Sequence, residues 1–195
     1  MKICFATNNK NKIYEVQNLL GNSVELVSLE SIGCLEELPE THDTIPENSA
    51  EKAQYVWQNF GLPCFADDSG LEVEALNGAP GVHSAYYGGL PRNDDSNIEL
   101  LLKNLESQTN RNAQFRTCIT LATQHGEWQF EGTIQGTILT EKRGEKGFGY
   151  DPVFMPNGYD KTFAEMDIEE KNKISHRAIA VKKIIDFLQK NLNLL

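Results

Sequence analysis

A chain of 195 residues is long enough for one well-buried core, with room for two lobes. Its 39% hydrophobic and 24% charged residues are those of an ordinary globular protein, and its apolar runs are too short to span a bilayer. The formal charge of −10 argues against non-specific nucleic-acid binding, which needs a basic footprint, and admits an anionic small molecule only where lysines and arginines gather locally. Polar Thr7-Asn8-Asn9-Lys10 ends the first apolar run too early for a signal peptide, so the chain reads as cytoplasmic, with no membrane and no nucleic-acid partner. Cys4, Cys34, Cys64 and Cys118 lie far apart without a C-x-x-C pair, which argues against a disulfide framework or a zinc site.

Lys2 to Ala6 is predicted as a first β-strand. Thr7-Asn8-Asn9-Lys10-Asn11-Lys12 follows as a polar loop, and then Ile13, Val16, Leu19 and Leu20 recur at helical spacing. Strand, loop and helix start in succession offer a phosphate site built from backbone amides with Thr7, Asn8, Asn9 and Lys12. The same residues equally suit a simply capped turn. The glycines of a Walker A loop are missing. Val24 to Leu29 reads as a second strand, parallel to the first if the helix is a crossover. Residues 30–46 are irregular and acidic, with Glu36, Glu37 and Glu40 around Pro39; this is either a solvated loop or one long enough to carry function. Pro46-Glu47-Asn48-Ser49-Ala50 opens a helix to about Asn59, closed by Gly61, with Ala50, Ala53, Val56 and Trp57 as its buried face. Lys52 sits near its start, where a cation is mildly unfavourable to the helix dipole, and is either exposed or reserved for a ligand.

Apolar Pro63-Cys64-Phe65-Ala66 then ends in two adjacent carboxylates, Asp67-Asp68-Ser69, and Gly70 permits a sharp turn before Leu71-Glu72-Val73 alternates like a second short strand. Two neighbouring acids cannot both be buried ionised without a counter-charge, since desolvation and mutual repulsion both raise the pKa. A divalent cation would supply that charge, one carboxylate holding metal or orienting water while the other tunes it. The alternative is a surface turn with two solvated aspartates.

Asn77 to Gly81 is turn-rich, and Val82 to Gly89 is a short helix or a lid-like loop in which His83 reads as structural. Asn93 to Leu105 is predicted helical with Ile98, Leu101, Leu102 and Leu105 inward. Ala113 to Thr123 alternates, with Phe115, Thr117, Ile119 and Leu121 on one face, and Trp128 to Ile134 alternates too, joined through a hairpin turn at His125-Gly126-Glu127. Gly132 and Gly136 mark a bulge or a close backbone approach. Gly144 to Gly149 is a loop and Tyr150 to Phe154 a strand. A last helix carries Ile174, Ala178, Val181, Ile184, Ile185 and Leu188 on its apolar face and Ser175-His176-Arg177 in its first turns. No repeat occurs, and no linker separates domains.

Three polar clusters call for one explanation: the Thr7–Lys12 loop, the Asp67-Asp68-Ser69 turn, and Phe148-Gly149-Tyr150-Asp151 with Lys171 and Ser175-His176-Arg177. Together they offer phosphate donors, metal ligands, an aromatic stacking surface and base-edge readers, the inventory of a nucleoside triphosphate site. The chain resembles the inosine triphosphate pyrophosphatases from Lys2 to about Leu188. The matching motifs, in order, are Thr7-Asn8-Asn9-Lys10-Asn11-Lys12, Leu38-Pro39-Glu40, Asp67-Asp68-Ser69-Gly70-Leu71, Phe148-Gly149-Tyr150-Asp151-Pro152, and Glu170-Lys171-Asn172 with Ser175-His176-Arg177. Asn8, where many relatives carry Gly, is the clearest departure.

The resemblance implies an elongated α/β fold, two lobes around a cleft with a long central mixed sheet flanked by helices, forming a single domain over residues 1–195. It implies Mg²⁺-dependent hydrolysis of ITP, dITP and XTP to the monophosphate and pyrophosphate, usually by a homodimer. Carried over by position, Asp68 is the general base and a metal ligand, Glu40 joins it at the metal, and Asp67 is a further candidate ligand. Lys12 of the loop and Lys52 of the later helix bind phosphates, Thr7, Asn8, Asn9, Lys10 and Asn11 are further substrate-binding candidates in the loop, and Ser69 contacts substrate. Phe148 stacks on the base beside Gly149 and Tyr150, and Asp151, Lys171, His176 and Arg177 read or position it. The rival readings are a Maf-like pyrophosphatase for pyrimidine nucleotides, against which the Phe148–Asp151 and Ser175–Arg177 motifs speak, and a non-catalytic nucleotide sensor, which has no need of the Asp67-Asp68 pair.

Overall fold

The structure, a computed structural model, describes residues 2–20 and 25–191. Among the described residues it is an α/β arrangement around a six-stranded mixed sheet in the order β2 (Glu25–Val27), β1 (Lys2–Phe5), β3 (Cys64–Val73), β4 (Asn112–Thr123), β5 (Gly126–Ile138), β6 (Phe154–Pro156). The chain divides into two compact units, Met1–Asp68 with Thr117–Gly132 and Arg177–Leu195, and Ser69–Arg116 with Thr133–His176. Among the described residues no helix is long and apolar enough to cross a membrane. All four cysteines are free and buried.

The first unit begins with β1 (Lys2–Phe5), α1 (Lys10–Leu20) and β2 (Glu25–Val27), and the two strands pair in parallel as the crossover reading requires. Val24, expected in the second strand, lies outside the described residues, and Ser28-Leu29 leave the strand for a single 3₁₀ turn at Glu30–Ile32. α1 starts earlier than its apolar spacing indicated, so Lys10, Asn11 and Lys12 form its first turn. Asn9 caps it, its Oδ1 accepting from the amides of Asn11 at 3.0 Å and Lys12 at 3.2 Å. α2 (Ile45–Phe60) opens on a capping box in which Thr44 accepts from the Glu47 amide and donates to the Glu47 carboxylate. It ends at Gly61, whose φ of 64° is left-handed.

The buried face of α2 differs from the expectation. Ala50 and Trp57 are only partly buried, whereas Asn48, Ser49 and Lys52 are buried. Polar side chains take these positions because each finds a partner: Ser49 Oγ lies 3.1 Å from the Ala66 carbonyl and 2.8 Å from Thr120 Oγ1.

β3 (Cys64–Val73) corrects the reading of a turn after Asp67-Asp68: it runs unbroken through both aspartates and Gly70. The strand continues because counter-charges meet Asp67, so the chain has no need to carry the carboxylates out to water. Registers Cys4↔Cys64 and Phe5↔Phe65 set β3 parallel to β1, and the two phenylalanine rings stack at 4.6 Å. Ile3, Phe5, Val16, Leu20, Phe65, Ile119, Leu121, Val181 and Ile184 form one apolar cluster of this unit, and Cys4, Leu29, Ala53, Val56 and Cys64 belong to a second.

The second unit holds the end of β3, a 3₁₀ segment at Gly81–Tyr86 where a short helix or a loop was expected, and α3 (Asp94–Asn104) capped by Asn93. β4 (Asn112–Thr123) and β5 (Gly126–Ile138) each have one stretch in each unit, and the turn between them is Gln124-His125, one residue earlier than expected, with Gly126 and Glu127 already in β5. β4 alternates only as far as Arg116; from Thr117 onward both of its faces are buried. At Gly136 a side chain would collide with the Met155 carbonyl, which bears out the close backbone approach expected there. Tyr150–Phe154 is not a strand. Residues Asp151–Val153 form a 3₁₀ turn, and the strand, β6, is Phe154–Pro156, antiparallel to β5. The single terminal helix is in fact two, α4 (Ile168–Ile174), capped by Asp167, and α5 (His176–Lys190), separated at Ser175 with ψ 151°. Leu71, Val73, Ile98, Leu101, Phe115, Tyr150, Phe154 and Phe163 lead the apolar core of this unit.

Candidate functional site

The first unit gathers three cations and four carboxylates. β3 presents Asp67 and Asp68, only 1% and 7% exposed. The first turn of α1 supplies Lys12, whose Nζ lies 3.0 Å from Asp67 Oδ2. The first turn of α5 supplies Arg177, whose Nε lies 3.3 Å from the same oxygen and whose Nη1 pairs with Glu15 of α1. α2 supplies Lys52, which pairs with Glu40 of the acidic loop, donates to the Asp67 carbonyl at 2.8 Å and lies 3.5 Å from Asp68 Oδ1. The acidic loop therefore does reach the aspartates, and Lys52 is no exposed residue.

These neighbours separate the two aspartates. Burial penalises the charge on Asp67, but Lys12, Arg177 and Lys52 outweigh it and hold the carboxyl well below the usual range. Burial also penalises Asp68 and prevails there: Lys52 and Lys12 offset it only in part while Glu40 and Asp67 add to it, so its pKa is raised. On the cations, burial lowers Lys12 despite Asp67, whereas Lys52 is raised because Asp68, Glu40 and Asp67 outweigh its desolvation. Arg177 is likewise kept charged by Glu15 and Asp67 against its burial. Two adjacent carboxyls with opposed shifts are the usual signature of a divided acid–base role.

Of the polar loop before α1, Thr7 Oγ1 accepts from the Asn9 amide at 3.2 Å and Asn9 caps the helix, so the capped-turn reading holds whatever else the loop binds. Asn8, Lys10 and Asn11 are exposed.

Metal capacity rests on Glu40 and Asp68. Among the described residues no group of three or more His, Cys, Asp or Glu is assembled for a metal. Asp68 Oδ2, however, is buried and has no hydrogen-bond partner, an oxygen that a hard cation satisfies. Magnesium commonly takes one or two carboxylates and completes its shell with water and phosphate oxygens, so this pair fits it.

The second unit gathers a different set. Asp151 and Lys171, each 4% exposed at the side chain, pair at 2.6 Å. Lys171 Nζ lies 5.1 Å from the Phe148 ring centroid and 5.3 Å from that of Phe163. Asp151 Oδ2 also accepts from the Phe148 amide at 2.9 Å, Gly149 N donates to Asp94 Oδ2 at 2.7 Å, and the Tyr150 hydroxyl donates to the Ser84 carbonyl at 2.9 Å. Gly147 has φ +75°, and a side chain there would collide with Asp151 Oδ2. His176 stacks on Phe115 at 4.7 Å with 11° between the planes. Ser69 follows Asp68 on β3 and is partly buried.

His176 and Arg177, neighbours in sequence, thus enter different surroundings, an aromatic one and an ionic one. Glu15 was missed by sequence reasoning. Its signal was present, since Lys12, Glu15, Val16 and Leu19 share one helical stripe, and a carboxylate on a buried stripe needs a cation.

A profile of the Ham1 family matches residues 3–187. The chain is 55% identical over 188 residues to a protein of Porphyromonas gingivalis named dITP/XTP pyrophosphatase, covering 96% of this chain and 97% of that one. It is 53% identical to the protein of the same name in Flavobacterium johnsoniae, covering 96% and 98%. Among solved structures, the Staphylococcus aureus Ham1 protein superposes with TM-score 0.90 at 37% identity, covering 98% of this chain and 100% of that one.

Proposed function

This chain belongs to the Ham1 family, and on that premise we propose that it hydrolyses the non-standard purine nucleoside triphosphates ITP, dITP and XTP to the monophosphate and pyrophosphate. The relatives' names support the substrate class, at identities of 55% and 53% over nearly the whole chain. The family match runs through both compact units and supports reading them as one catalytic domain. We read the enzyme as a cytoplasmic homodimer. The observation that supports the reaction type is the ion cluster itself: Lys12 and Arg177 lie 3.0 and 3.3 Å from Asp67 Oδ2, while Asp68 Oδ2 is buried and has no hydrogen-bond partner among the described residues.

In this reading Asp68 takes a proton from the water that attacks the α-phosphorus. The bond from that phosphorus to the bridging oxygen breaks, and pyrophosphate leaves with the electron pair. Positioning and charge neutralisation carry most of the rate in such a transfer. Lys12 and Lys52 neutralise phosphate oxygens, exchanging part of their present pairing with Asp67 and Asp68. Thr7, Asn8, Asn9, Lys10 and Asn11 border the phosphates from the loop and first turn of α1. Glu40 and Asp68 would hold Mg²⁺, with Asp67 in reserve; when bound it neutralises triphosphate charge and lowers the pKa of its water. Arg177 acts through Asp67, which it holds in place. In the second unit Phe148 stacks on the base, with Gly149 and Tyr150 shaping that loop, while Lys171, His176 and Asp151 read or position the base edge and Ser69 contacts substrate.

Pyrophosphate release from ITP, dITP, XTP, dATP, dGTP, dTTP and UTP with Mg²⁺ tests the proposal. Preference for the first three is expected. Preference for dTTP or UTP would assign the chain to pyrimidine nucleotides, and binding without release would make it a sensor.

A further inference from the structure

We propose that Asp94 is a positioning residue for the base-stacking loop. The inference rests on the reading of Phe148 as the ring that stacks on the base. A stacking ring recognises a base only if its backbone is already in place, since ordering a mobile loop on binding costs affinity. Phe148 lies in an irregular stretch between the end of β5 at Ile138 and the 3₁₀ turn at Asp151. Two consecutive amides of that stretch are each fastened by a carboxylate. Phe148 N donates to Asp151 Oδ2 at 2.9 Å, a contact within the loop. Gly149 N donates to Asp94 Oδ2 at 2.7 Å, a contact from α3, 55 residues away in sequence. Gly149 has φ +60°, a conformation that side chains disfavour, so an external hold at this residue fixes the backbone where it is least ordinary.

Asp94 is not occupied as the helix cap. Asn93 fills that role, accepting from the Ser96 amide at 2.9 Å. The second Asp94 oxygen lies 3.8 Å from Arg92 Nε. The next residue supplies a matched comparison. Asp95 carries the same charge in the same first turn of α3, but pairs with Lys142 at 2.6 Å, whereas the Gly149 amide donates to Asp94. Any benefit to the helix dipole is common to both aspartates. The bond to the loop belongs to Asp94, and a carboxylate acceptor makes it stronger than a neutral one.

Steady-state pyrophosphate release from dITP by the wild type, Asp94→Ala, Asp94→Asn and Asp95→Ala tests this, with melting temperatures and amide hydrogen exchange at Gly149 measured on each. Asp94→Ala is expected to raise KM about tenfold with kcat changed less than about twofold, and to speed exchange at Gly149. Asp94→Asn, which keeps an oxygen in the same place, recovers most of the KM. Asp95→Ala lowers the melting temperature about as much as Asp94→Ala but leaves KM and Gly149 exchange at wild-type values. If Asp94→Ala and Asp95→Ala match in KM, or if kcat falls and KM holds, Asp94 does not position the loop, while the functional reading stands. A wild type that releases no pyrophosphate from dITP overturns the functional reading and this inference with it.

Discussion

The two units gather different materials. In the first, the carboxylates of Asp67, Asp68, Glu15 and Glu40 are interleaved with Lys12, Lys52 and Arg177, so every charge is met by its opposite. In the second, the buried ion pair of Asp151 with Lys171 is set among Phe148, Phe163 and the stacked Phe115–His176 pair. The first arrangement suits a polyanion, because cations already neutralised by protein carboxylates can exchange them for phosphate oxygens. The second suits a flat heterocycle, because rings and fixed backbone recognise shape and direction. Within the first, Asp67 Oδ2 is met by both Lys12 and Arg177, whereas Asp68 Oδ2 has no hydrogen-bond partner among the described residues.

Removing metal should show the largest difference between the regions. With EDTA, pyrophosphate release should fall to background and return with Mg²⁺, while binding of a purine nucleoside without phosphates should be unaffected. Full turnover in a chelated preparation would remove Glu40 and Asp68 from the metal role. Next comes Asp68→Asn. The amide is nearly isosteric but takes no proton, a loss of roughly 10²–10⁴-fold from acid–base catalysis. Its melting temperature should equal or exceed that of the wild type, since burial already disfavours the Asp68 charge. Retention of more than about a tenth of the rate would show that Asp68 is not the base.

Asp67→Asn should act in the opposite sense, costing about 3–5 kcal/mol of stability by stranding buried Lys12 and Arg177. The folded-state pKa of Asp67 lies below its unfolded value near 3.9, so its stabilisation is complete above that value and is lost as pH falls towards the folded one. Acid unfolding of Asp67→Asn should therefore lack this contribution, which denaturant titrations from pH 6 to pH 3 would reveal. Arg177→Ala should behave alike and lower kcat/KM for ITP and ATP by one factor. A loss confined to ITP would make Arg177 a reader of the base as well. The smallest effect is expected in the second unit, where Phe148→Ala should weaken nucleotide binding by roughly 1–3 kcal/mol, read in KM with kcat preserved.

Much of the molecule was legible locally. Helix caps are short-range chemistry, and Thr44 with Glu47, Asn93 and Gly61 act where such residues usually do. The parallel β1–β2 pair followed from a strand, a helix and a second strand in succession. Errors came where local rules met distant partners. Asp67-Asp68-Ser69-Gly70 looks like a turn because neighbouring acids and a glycine ordinarily seek water, yet all four lie inside β3. Lys52 looks exposed because lysine usually is, and Ser175 hides a break that divides one apolar stripe between α4 and α5.

The amino-acid sequence by itself showed the alternation of strands and helices, because periodicity and composition act over a few residues, and the order of the motifs through which the family resemblance named the candidate site residues. The base role of Asp68 was proposed from the family resemblance; what only the tertiary structure decided is that Lys12 and Arg177 surround Asp67 while Lys52 lies beside Asp68. One of the cations that hold Asp67, Arg177, stands 110 residues from it along the chain, and the carboxylate that steadies Arg177, Glu15, stands 162 residues from that. Electrostatic shifts depend on distance in space and on depth from water, and neither is set until α1, α2, β3 and α5 have packed together.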